Sequence, residues 1–245
     1  MAQQNIRQRF TEIHHALLFG WLSKAIIERV GQQKGQEVVS KATRKYGEER
    51  GNRMALRATT NSQPLNIANF FIYAEYRLIS GKMKARVAEK SRNLTLEAYR
   101  CPWCDAWKEN ELLPYGRLYC LDVDKAILHG FNPNLKMDVE STLSGGAEKC
   151  RLVYNEANLT LFSYLLMGYK RAISPGMKVV MPWEYHVGHL FKTFETSIIE
   201  ELGAFGKQVP ESALSEFTKR YGESAAQRIL SFHTTDFTKL PDSLT

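Results

Sequence analysis

The stretch MKARVAEKSRNLTLEA, residues 83–98, decides the fold class of this chain. Apolar and polar residues alternate over Met83–Val87 and again over Leu94–Ala98, and a period of two is typical of a strand with one buried face. The polar run Ser91–Asn93 separates the two segments, as the turn of a β-hairpin would. The stretch therefore predicts two antiparallel strands.

The residues before this hairpin have helical periodicity instead. Apolar residues recur at intervals of three and four over residues 5–30, which predicts an amphipathic helix. A second helix is predicted to follow Gly35 and to run to about Ala58. A third, rich in Phe and Tyr, is predicted over residues 66–80.

The residues after the hairpin return to a helix and then to strands. A helix over roughly 116–130 is expected to stop before Asn132-Pro133. Two further strands are predicted around 135–139 and 150–154, with Gly145-Gly146 in the turn between them. The prediction is an α+β fold with a central antiparallel β-sheet flanked by helices. We place an α+β hydrolase-like domain at residues 1–157 and a helical extension packed on it at 158–245.

The helical C-terminal extension resembles the N-terminal helical hairpin. HHALLF at 14–19 and HVGHLF at 186–191 are followed by IIE at 26–28 and 198–200, an offset of 172 throughout. KYGE at 45–48 matches RYGE at 220–223 at an offset of 175. These matches indicate a duplicated helical hairpin whose copies pack about a pseudo-twofold axis or mediate dimerisation. The alternative is that amphipathic helices simply look alike.

Charge is distributed unevenly along the chain, which carries a net charge of +7. Residues 1–100 hold 18 Lys/Arg and 8 Asp/Glu, a net of +10, and the remaining residues have a net of −3. A basic half suits nucleic acid or an anionic small molecule. Because glutamates interrupt the basic residues and no aromatic-basic stacking platform is present, we favour solvated helix faces and expect no nucleic-acid partner.

The sequence shows neither a secretory signal nor a run near the ~18 apolar residues of a membrane span. We therefore expect a cytoplasmic protein without a membrane partner. In a reducing compartment, clustered cysteines are more often metal ligands or reactive thiols than disulfides.

All four cysteines, Cys101, Cys104, Cys120 and Cys150, lie within one fifth of the chain. Cys101 and Cys104 form a CxxC pair, a motif of zinc sites, Fe–S sites and redox-active dithiols. The 2 and 15 residues that separate the first three cysteines suit a zinc site. Cys120 and Cys150, however, do not form the second CxxC pair of a zinc ribbon. Three interpretations stay open: a site for Zn or another divalent metal, reactive cysteines, and small buried side chains.

Acidic and histidine residues near these cysteines are candidates for catalysis. Cys120 and Asp124 are one helical turn apart and share a face, so they can act as nucleophile and base or as ligands of one metal. His129 lies five residues beyond Asp124, a less direct match. Solvated helix carboxylates are the alternative.

Two further pairs of residues are candidates for binding. His186 and His189 have the i, i+3 spacing that can chelate a metal from one helix face, although ordinary helix histidines have the same spacing. Arg50 and Arg53 can bind a substrate carboxylate bidentately. The alternative for the arginines is a solvated pair near a helix C-terminus, where the helix dipole favours them.

At this point the sequence resembles a known family. The residues that carry the resemblance are Tyr119-Cys120, Asp124, Ile127, Phe131-Asn132-Pro133, Leu143, Gly145/Gly146 and Cys150. They follow in order the pattern of proteins similar to L-2-amino-thiazoline-4-carboxylic acid hydrolase, and the stretch 46–54 resembles that family too. The resemblance covers roughly residues 14–156. A more distant resemblance is to the vinyl-reductase-like ligand-binding domain, which binds small molecules and sometimes carries cysteine-ligated metal.

The resemblance implies hydrolysis of a cyclic amidine, in which water adds to the C=N carbon of a thiazoline ring and the ring opens to a carbamoyl-cysteine. Such a reaction needs an activated nucleophile, a proton donor and a cation for the substrate carboxylate. By this chemistry Cys120 or a metal-bound water would supply the nucleophile, Asp124 or His129 would move protons, and Arg50 or Arg53 would hold the carboxylate. Two further family positions, Cys150 and Asn132, join them as candidate catalytic and substrate-binding residues. The turn reads Gly145-Gly146-Ala147, where many relatives have Gly-Asp, so a possible carboxylate is missing here.

The sequence therefore predicts a small-molecule hydrolase that opens a cyclic amidine-type C–N bond. The expected partner is a small-molecule substrate that carries a carboxylate, and the protein is a candidate homodimer. One alternative is a non-catalytic small-molecule-binding or sensor module with a cysteine-ligated structural metal. The other is a metal or Fe–S redox enzyme.

Overall fold

The computed structural model describes residues 9–173 and 179–241. Two long helices open the fold: α1 spans Glu12–Val30 and α2 spans Gln32–Thr60. Thr11 caps α1, since its hydroxyl accepts a hydrogen bond from the Ile13 amide at 3.1 Å. Gly31 separates the helices with φ of +83°, a conformation that favours glycine. The two N-terminal helices predicted from periodicity are confirmed, with the second beginning earlier than Gly35.

The third helix, α3, is shorter than predicted and spans only Ile67–Ile72. The chain beyond it is irregular up to Met83, and several of its carbonyls accept hydrogen bonds from a distant side chain. Arg171 donates hydrogen bonds to the carbonyls of Ile72, Ala74 and Tyr76 at 2.5–3.2 Å. These side-chain bonds replace the backbone bonds that a longer helix would make.

The predicted hairpin is confirmed as β1, Lys84–Lys90, and β2, Leu94–Arg100. Next come α4 at Pro102–Glu109, α5 at Leu113–Gly116 and α6 at Tyr119–Phe131. The second hairpin consists of β3, Met137–Ser141, and β4, Cys150–Tyr154. The four strands form an antiparallel sheet in the order β1-β2-β4-β3.

The remaining described helices are α7 at Leu161–Ile173, α8 at Trp183–Leu202, α9 at Gln208–Tyr221 and α10 at Glu223–Leu230. The α+β class with an antiparallel sheet flanked by helices is thereby confirmed. One large buried core joins α1, α2, α6, α8 and α9 with the sheet. Among the described residues, no helix combines the length and apolar character needed to cross a membrane.

Candidate active site

A cavity in two lobes lies between α2, α6 and one face of the sheet. We call the first the thiol lobe, about 160 Å³, which is lined among others by Cys101, Trp103, Tyr119 and Cys120. The second, the aromatic lobe, is about 230 Å³ and is lined among others by Phe70 and Phe71. Both lobes share one wall, made of Arg50, Tyr76, Met83, Ala98, Asp124, Ile127, Cys150 and Leu152.

The register of the sheet explains which strand residues reach this cavity. Leu96 pairs with Leu152, and Ala98 pairs with Cys150. Because paired residues of neighbouring strands point to the same face, these four side chains line the cavity together. Cys150 therefore reaches the cavity from the first residue of β4.

Arg50 enters the cavity wall because two glycines hold α2 against α6. A Cβ atom on Gly47 would lie 2.6 Å from the Cβ of Ala126, and one on Gly51 would lie 2.1 Å from the carbonyl oxygen of Ile127. Glycines four residues apart share one helix face, so α6 can approach α2 along it. Arg50, between the two glycines, then points to the cavity beside α6.

The guanidinium of Arg50 is buried but incompletely bonded. Its side chain is 4% exposed, and within the described chain its Nε has no hydrogen-bond partner. The nearest carboxylate oxygen that pairs with it, on Glu75, is 4.0 Å from Nε. Burial lowers the pKa of Arg50, but the neighbouring tyrosines and Glu75 outweigh this effect and the net pKa is raised. Arg50 is therefore a permanent positive charge that lines both lobes, and its Nε has no hydrogen bond within the described chain.

Asp124 brings a carboxylate with a shifted pKa into the same wall. Burial raises its pKa to about 6, and the positive charge of Arg50 limits that rise. Over the described residues no hydrogen bond to another side chain or to the backbone holds this carboxylate. Asp124 can therefore gain and lose a proton near neutral pH, as a general acid or base must.

Three of the four cysteines line the thiol lobe: Cys101, Cys120 and Cys150. Burial raises the pKa of all three thiols, to about 12 for Cys101 and well above the usual value for Cys120. The sulfur of Cys150 accepts a hydrogen bond from the Leu143 amide at 3.2 Å. These thiols are protonated at neutral pH, so none is a preformed thiolate nucleophile.

Cys101 and Cys104 occupy the start of α4, directly after β2. Cys101 is the N-cap residue, Pro102 is the first helical residue, and Cys104 is 3% exposed in the core. The CxxC pair therefore lies at the N-terminus of this helix. Cys104 does not line either lobe.

Behind Arg50, a buried ionic cluster supports the cavity wall. The carboxylate of Glu75 accepts two hydrogen bonds from Arg53, at 2.9 and 2.7 Å, and one from Arg57 at 2.5 Å. Burial opposes ionisation of Glu75, but the two arginines prevail and lower its pKa to about 2. Glu75 is thus ionised at neutral pH and holds the arginines in place.

The two C-terminal candidate histidines belong to this cluster. His186 Nε2 lies 3.1 Å from the carbonyl oxygen of Glu75, and His189 Nε2 lies 2.6 Å from Glu49 Oε2. Burial lowers the pKa of both, to about 3 for His186. Because their ring nitrogens face different partners, they do not form the i, i+3 metal pair that their spacing suggested.

Three sequence candidates lie outside the cavity. His129 is on the surface, where its Nδ1 lies 3.3 Å from Glu48. Asn132 caps the end of α6, where its backbone N–H donates to the carbonyl of Leu128 at 2.9 Å, and its side-chain Nδ2 donates to the carbonyl of Leu65 at 2.8 Å. Arg53 is fully buried in the ionic cluster, where it donates to Glu75, and it lines neither lobe. We therefore remove all three from the candidate site.

The predicted metal sites obtain no support from these positions. Over residues 9–173 and 179–241, no three His, Cys, Asp or Glu side chains are placed to hold one ion together. Three of the cysteines line one cavity, but they come from a helix N-cap, the first turn of α6 and the start of β4 rather than from one ligand loop. The residues present do not fit the four-cysteine site, and no chemical step is assigned to a metal.

Several cavity residues escaped the sequence reasoning. Tyr76, Tyr119, Phe70, Phe71 and Tyr154 line it, and burial raises the pKa of Tyr119 and Tyr154 well above the usual value. Aromatic residues at helical or strand spacing are ordinary core residues, so their pattern gave no signal. The lone acidic residue in the aromatic stretch FFIYAEY, 70–76, was the available clue to the buried ionic cluster.

Comparison with known proteins bears on this geometry. The family model described as L-2-amino-thiazoline-4-carboxylic acid hydrolase matches residues 11–154. The match covers α1 to β4 and so includes every residue that lines the two lobes. Neither the curated proteins nor the solved structures contain a match to this chain.

Proposed function

Because this chain belongs to the L-2-amino-thiazoline-4-carboxylic acid hydrolase family, we propose that it hydrolyses a cyclic amidine that carries a carboxylate. The observation that carries the proposal is the shared cavity wall, where the incompletely bonded Arg50 and the titratable Asp124 meet. An anion site beside a general acid or base is what this hydrolysis requires.

Arg50 binds the substrate carboxylate in this proposal. A guanidinium presents donors in a planar fork that matches the two oxygens of a carboxylate. The side chain is already desolvated and held near Glu75, so a ligand carboxylate would complete its hydrogen bonding rather than compete with water. Binding there fixes the amidine ring relative to Asp124.

Asp124 moves the protons. Its carboxylate takes a proton from water as the water oxygen bonds to the amidine carbon, and the C=N electron pair moves onto nitrogen. The same carboxyl group then returns the proton to the ring atom that leaves with the electron pair of its broken bond to that carbon. The remaining proton of the added water passes from oxygen to nitrogen as the C=O bond of the product forms. With a pKa of about 6, the group is ionised at neutral pH and still acidic enough to donate.

The thiols form the lobe in which the ring lies. Cys120 is one turn before Asp124 on α6, so a covalent route in which Asp124 takes its proton is the alternative. We favour attack by water because burial keeps Cys120 protonated. Under this mechanism Cys120→Ala keeps at least a tenth of the wild-type kcat, whereas a nucleophile's loss would abolish turnover.

The test of the proposal is turnover of L-2-amino-thiazoline-4-carboxylate by the purified protein and by matched variants. We expect Asp124→Asn to lower kcat by at least 100-fold. Asp122→Asn is the control, since Asp122 lies on the same helix, pairs with Ser40 at 2.6 Å and lines neither lobe. Arg50→Lys should raise KM more than it lowers kcat. Equal activity of Asp124→Asn and wild type would rule out the mechanism.

A binding module without turnover is the second candidate, favoured by the enclosed and largely apolar lining of the two lobes. A sensor of this kind would bind the thiazoline carboxylate through Arg50 and release it unchanged. Calorimetric binding without product formation would support it. Loss of that binding in Arg50→Met would place the ligand at the same wall.

We also propose that the protein is a homodimer joined through α7. Within the described chain, Leu161, Phe162, Leu165 and Tyr169 of this helix are each 61–75% exposed. A patch of this kind marks an interaction surface. Gly168 is also exposed, and a Cβ at this position would meet open space. Glycine weakens a helix, and no contact inside the described chain explains its presence here. An uncharged face with a glycine suits close approach of the same face of a second copy.

A further inference from the structure

The aromatic lobe is larger than the proposed reaction needs. Its volume is about 230 Å³, beside about 160 Å³ for the thiol lobe. An apolar cavity of about 150 Å³ is enough to bind benzene. A five-membered ring with one carboxylate, held at Arg50 and Asp124, therefore fills one lobe and leaves the other empty.

The walls of the aromatic lobe are apolar rings in contact with one another. The ring centroids of Phe71 and Tyr154 are 5.1 Å apart at an interplanar angle of 69°, and those of Phe70 and Phe71 are 5.2 Å apart at 84°. Edge-to-face packing of this kind gives a rigid wall that offers ring faces to a further aromatic group. The lobe is thus preformed for a flat apolar substituent.

Polar groups of this lobe are almost all in the wall shared with the thiol lobe. The exceptions are the hydroxyl of Tyr154 and Glu97, whose carboxylate is bound on the opposite face of the sheet by Arg86, Lys149 and Arg151 at 2.5–3.0 Å. Its charge is therefore not presented to the cavity. Apart from the hydroxyls of Tyr76 and Tyr154, a group beyond Arg50 and Asp124 meets apolar side chains, so a strongly polar substituent would lose most of its hydrogen bonds there.

From these contacts we infer that the substrate carries an aryl-sized apolar substituent, which occupies the aromatic lobe while the carboxylate lies at Arg50. The inference rests on the proposed function for the reacting ring, but the lobe itself is tested by binding alone. It assigns the natural substrate to aryl-substituted carboxylates rather than to the unsubstituted thiazoline.

Ala85 offers a way to close the lobe without disturbing the core. It lines the aromatic lobe from β1, opposite Ala98, and it is exposed. Ala85→Phe should place a ring into the lobe. Ala88→Phe is the matched control, because Ala88 is exposed on the same strand and lines neither lobe.

The experiment compares the affinities of 3-phenylpropionate and propionate by isothermal titration calorimetry. We expect wild type and Ala88→Phe to bind the phenyl acid at least tenfold more tightly, and Ala85→Phe to reduce this ratio below threefold. Equal affinities in wild type, or a ratio unchanged in Ala85→Phe, would overturn the inference.

Turnover separates this inference from the proposed function. L-2-amino-thiazoline-4-carboxylate and its 5-phenyl derivative are assayed with the same three proteins. If the phenyl acid is preferred but neither thiazoline is hydrolysed, the lobe assignment stands and the hydrolase proposal fails. If the unsubstituted thiazoline is hydrolysed and the phenyl group gives no gain in affinity, the hydrolase proposal stands and the lobe assignment fails.

Discussion

Asp124 and Arg50 carry opposite charges into one cavity wall without forming an ion pair within the described chain. The consequence is seen in the carboxyl group, whose pKa burial raises to about 6 although Arg50 opposes the rise. A direct ion pair would hold the carboxylate ionised and weakly basic. In the proposed mechanism this separation leaves Arg50 for binding the substrate and Asp124 for proton transfer.

The first prediction concerns pH. Because Asp124 must be ionised to accept a proton from water, kcat/KM should be constant above its pKa and fall tenfold for each unit below about pH 6. A pH profile of wild type between 4.5 and 8 measures this limb. The residual activity of Asp124→Asn should lack it, and a wild-type profile that is flat down to pH 5 would contradict the assignment.

The second prediction concerns Glu75, which is fully buried between arginines. Glu75→Gln should lower the free energy of unfolding by about 3–5 kcal/mol, because it leaves buried guanidinium charges uncompensated. Urea unfolding measures the change. Glu216→Gln is the control, since Glu216 forms an exposed pair with Lys219 and its loss should cost less than about 1 kcal/mol.

Glu75 also sets an acid limit on stability. Its pKa in the folded protein, about 2, lies below its unfolded value, so it stabilises the fold above the unfolded pKa. That contribution declines as the pH falls from the ordinary carboxyl range towards 2. Glu75→Gln should therefore show a smaller loss of stability between pH 5 and pH 3 than wild type.

At the scale of elements, the α2–α6 pair determines where the cavity lies. Gly51 and Gly130 lie at its closest approach: a Cβ on Gly130 would be 2.3 Å from the carbonyl oxygen of Glu48. Close packing on this side lets Arg50 of α2 and Asp124 of α6 share the cavity wall. The glycines of the stretch YGEERGNRM therefore serve packing, and of its two arginines Arg50 alone lines the described cavity.

The third prediction follows from this contact. Gly51→Ala should destabilise the protein by about 3 kcal/mol, since the new methyl group would have to displace backbone of α6. Thermal unfolding measures the effect. Asn52→Ala, on the exposed side of the same helix, should change stability by less than about 0.5 kcal/mol. Equal melting temperatures for the two variants would contradict this prediction and show that α6 can move away from α2 at little cost in stability.

Pattern alone predicted the long helices and both hairpins, because burial of one face imposes its period on the sequence. It failed where side chains replaced backbone hydrogen bonds. The segment after Ile72 reads as a helix, but Arg171, almost 100 residues later, binds its carbonyls. A contact between residues so far apart in the sequence produces no local pattern from which it could be predicted.

At the scale of the whole molecule, the two similar helical segments pack reciprocally. α1 packs against α9, and α2 packs against α8. The ring of His14 stacks on Tyr221 at 4.1 Å. Tyr46, the counterpart of Tyr221 at the offset of 175, instead has the ring of His189 at 4.6 Å, although the counterpart of His14 is His186. The packing of the helices is what a pseudo-twofold axis would give, but these ring contacts do not follow it. The duplication itself stays a prediction, as do the division at residue 157 and the cytoplasmic location.

The fourth prediction concerns assembly through α7. Wild type should run as a dimer at micromolar concentration in light scattering, and Leu165→Glu should run as a monomer because a charge in an apolar interface is costly. Leu121→Glu, which changes a leucine of similar exposure on α6, should remain a dimer. A monomeric wild type would contradict the proposed homodimer.

The sequence by itself determined the α+β class, the helix and strand order around the sheet, the family, and the presence of Asp124, Arg50 and Cys120 near one site. These follow from local periodicity and motif order, which neighbouring residues carry. Only the tertiary structure decided that Arg53, His129, Asn132, His186 and His189 lie outside the cavity, and that Cys101, Cys120 and Cys150 line one lobe of it. Burial and long-range hydrogen bonds decide which side chains reach the cavity, and the spacing of residues along the chain does not reveal either of them.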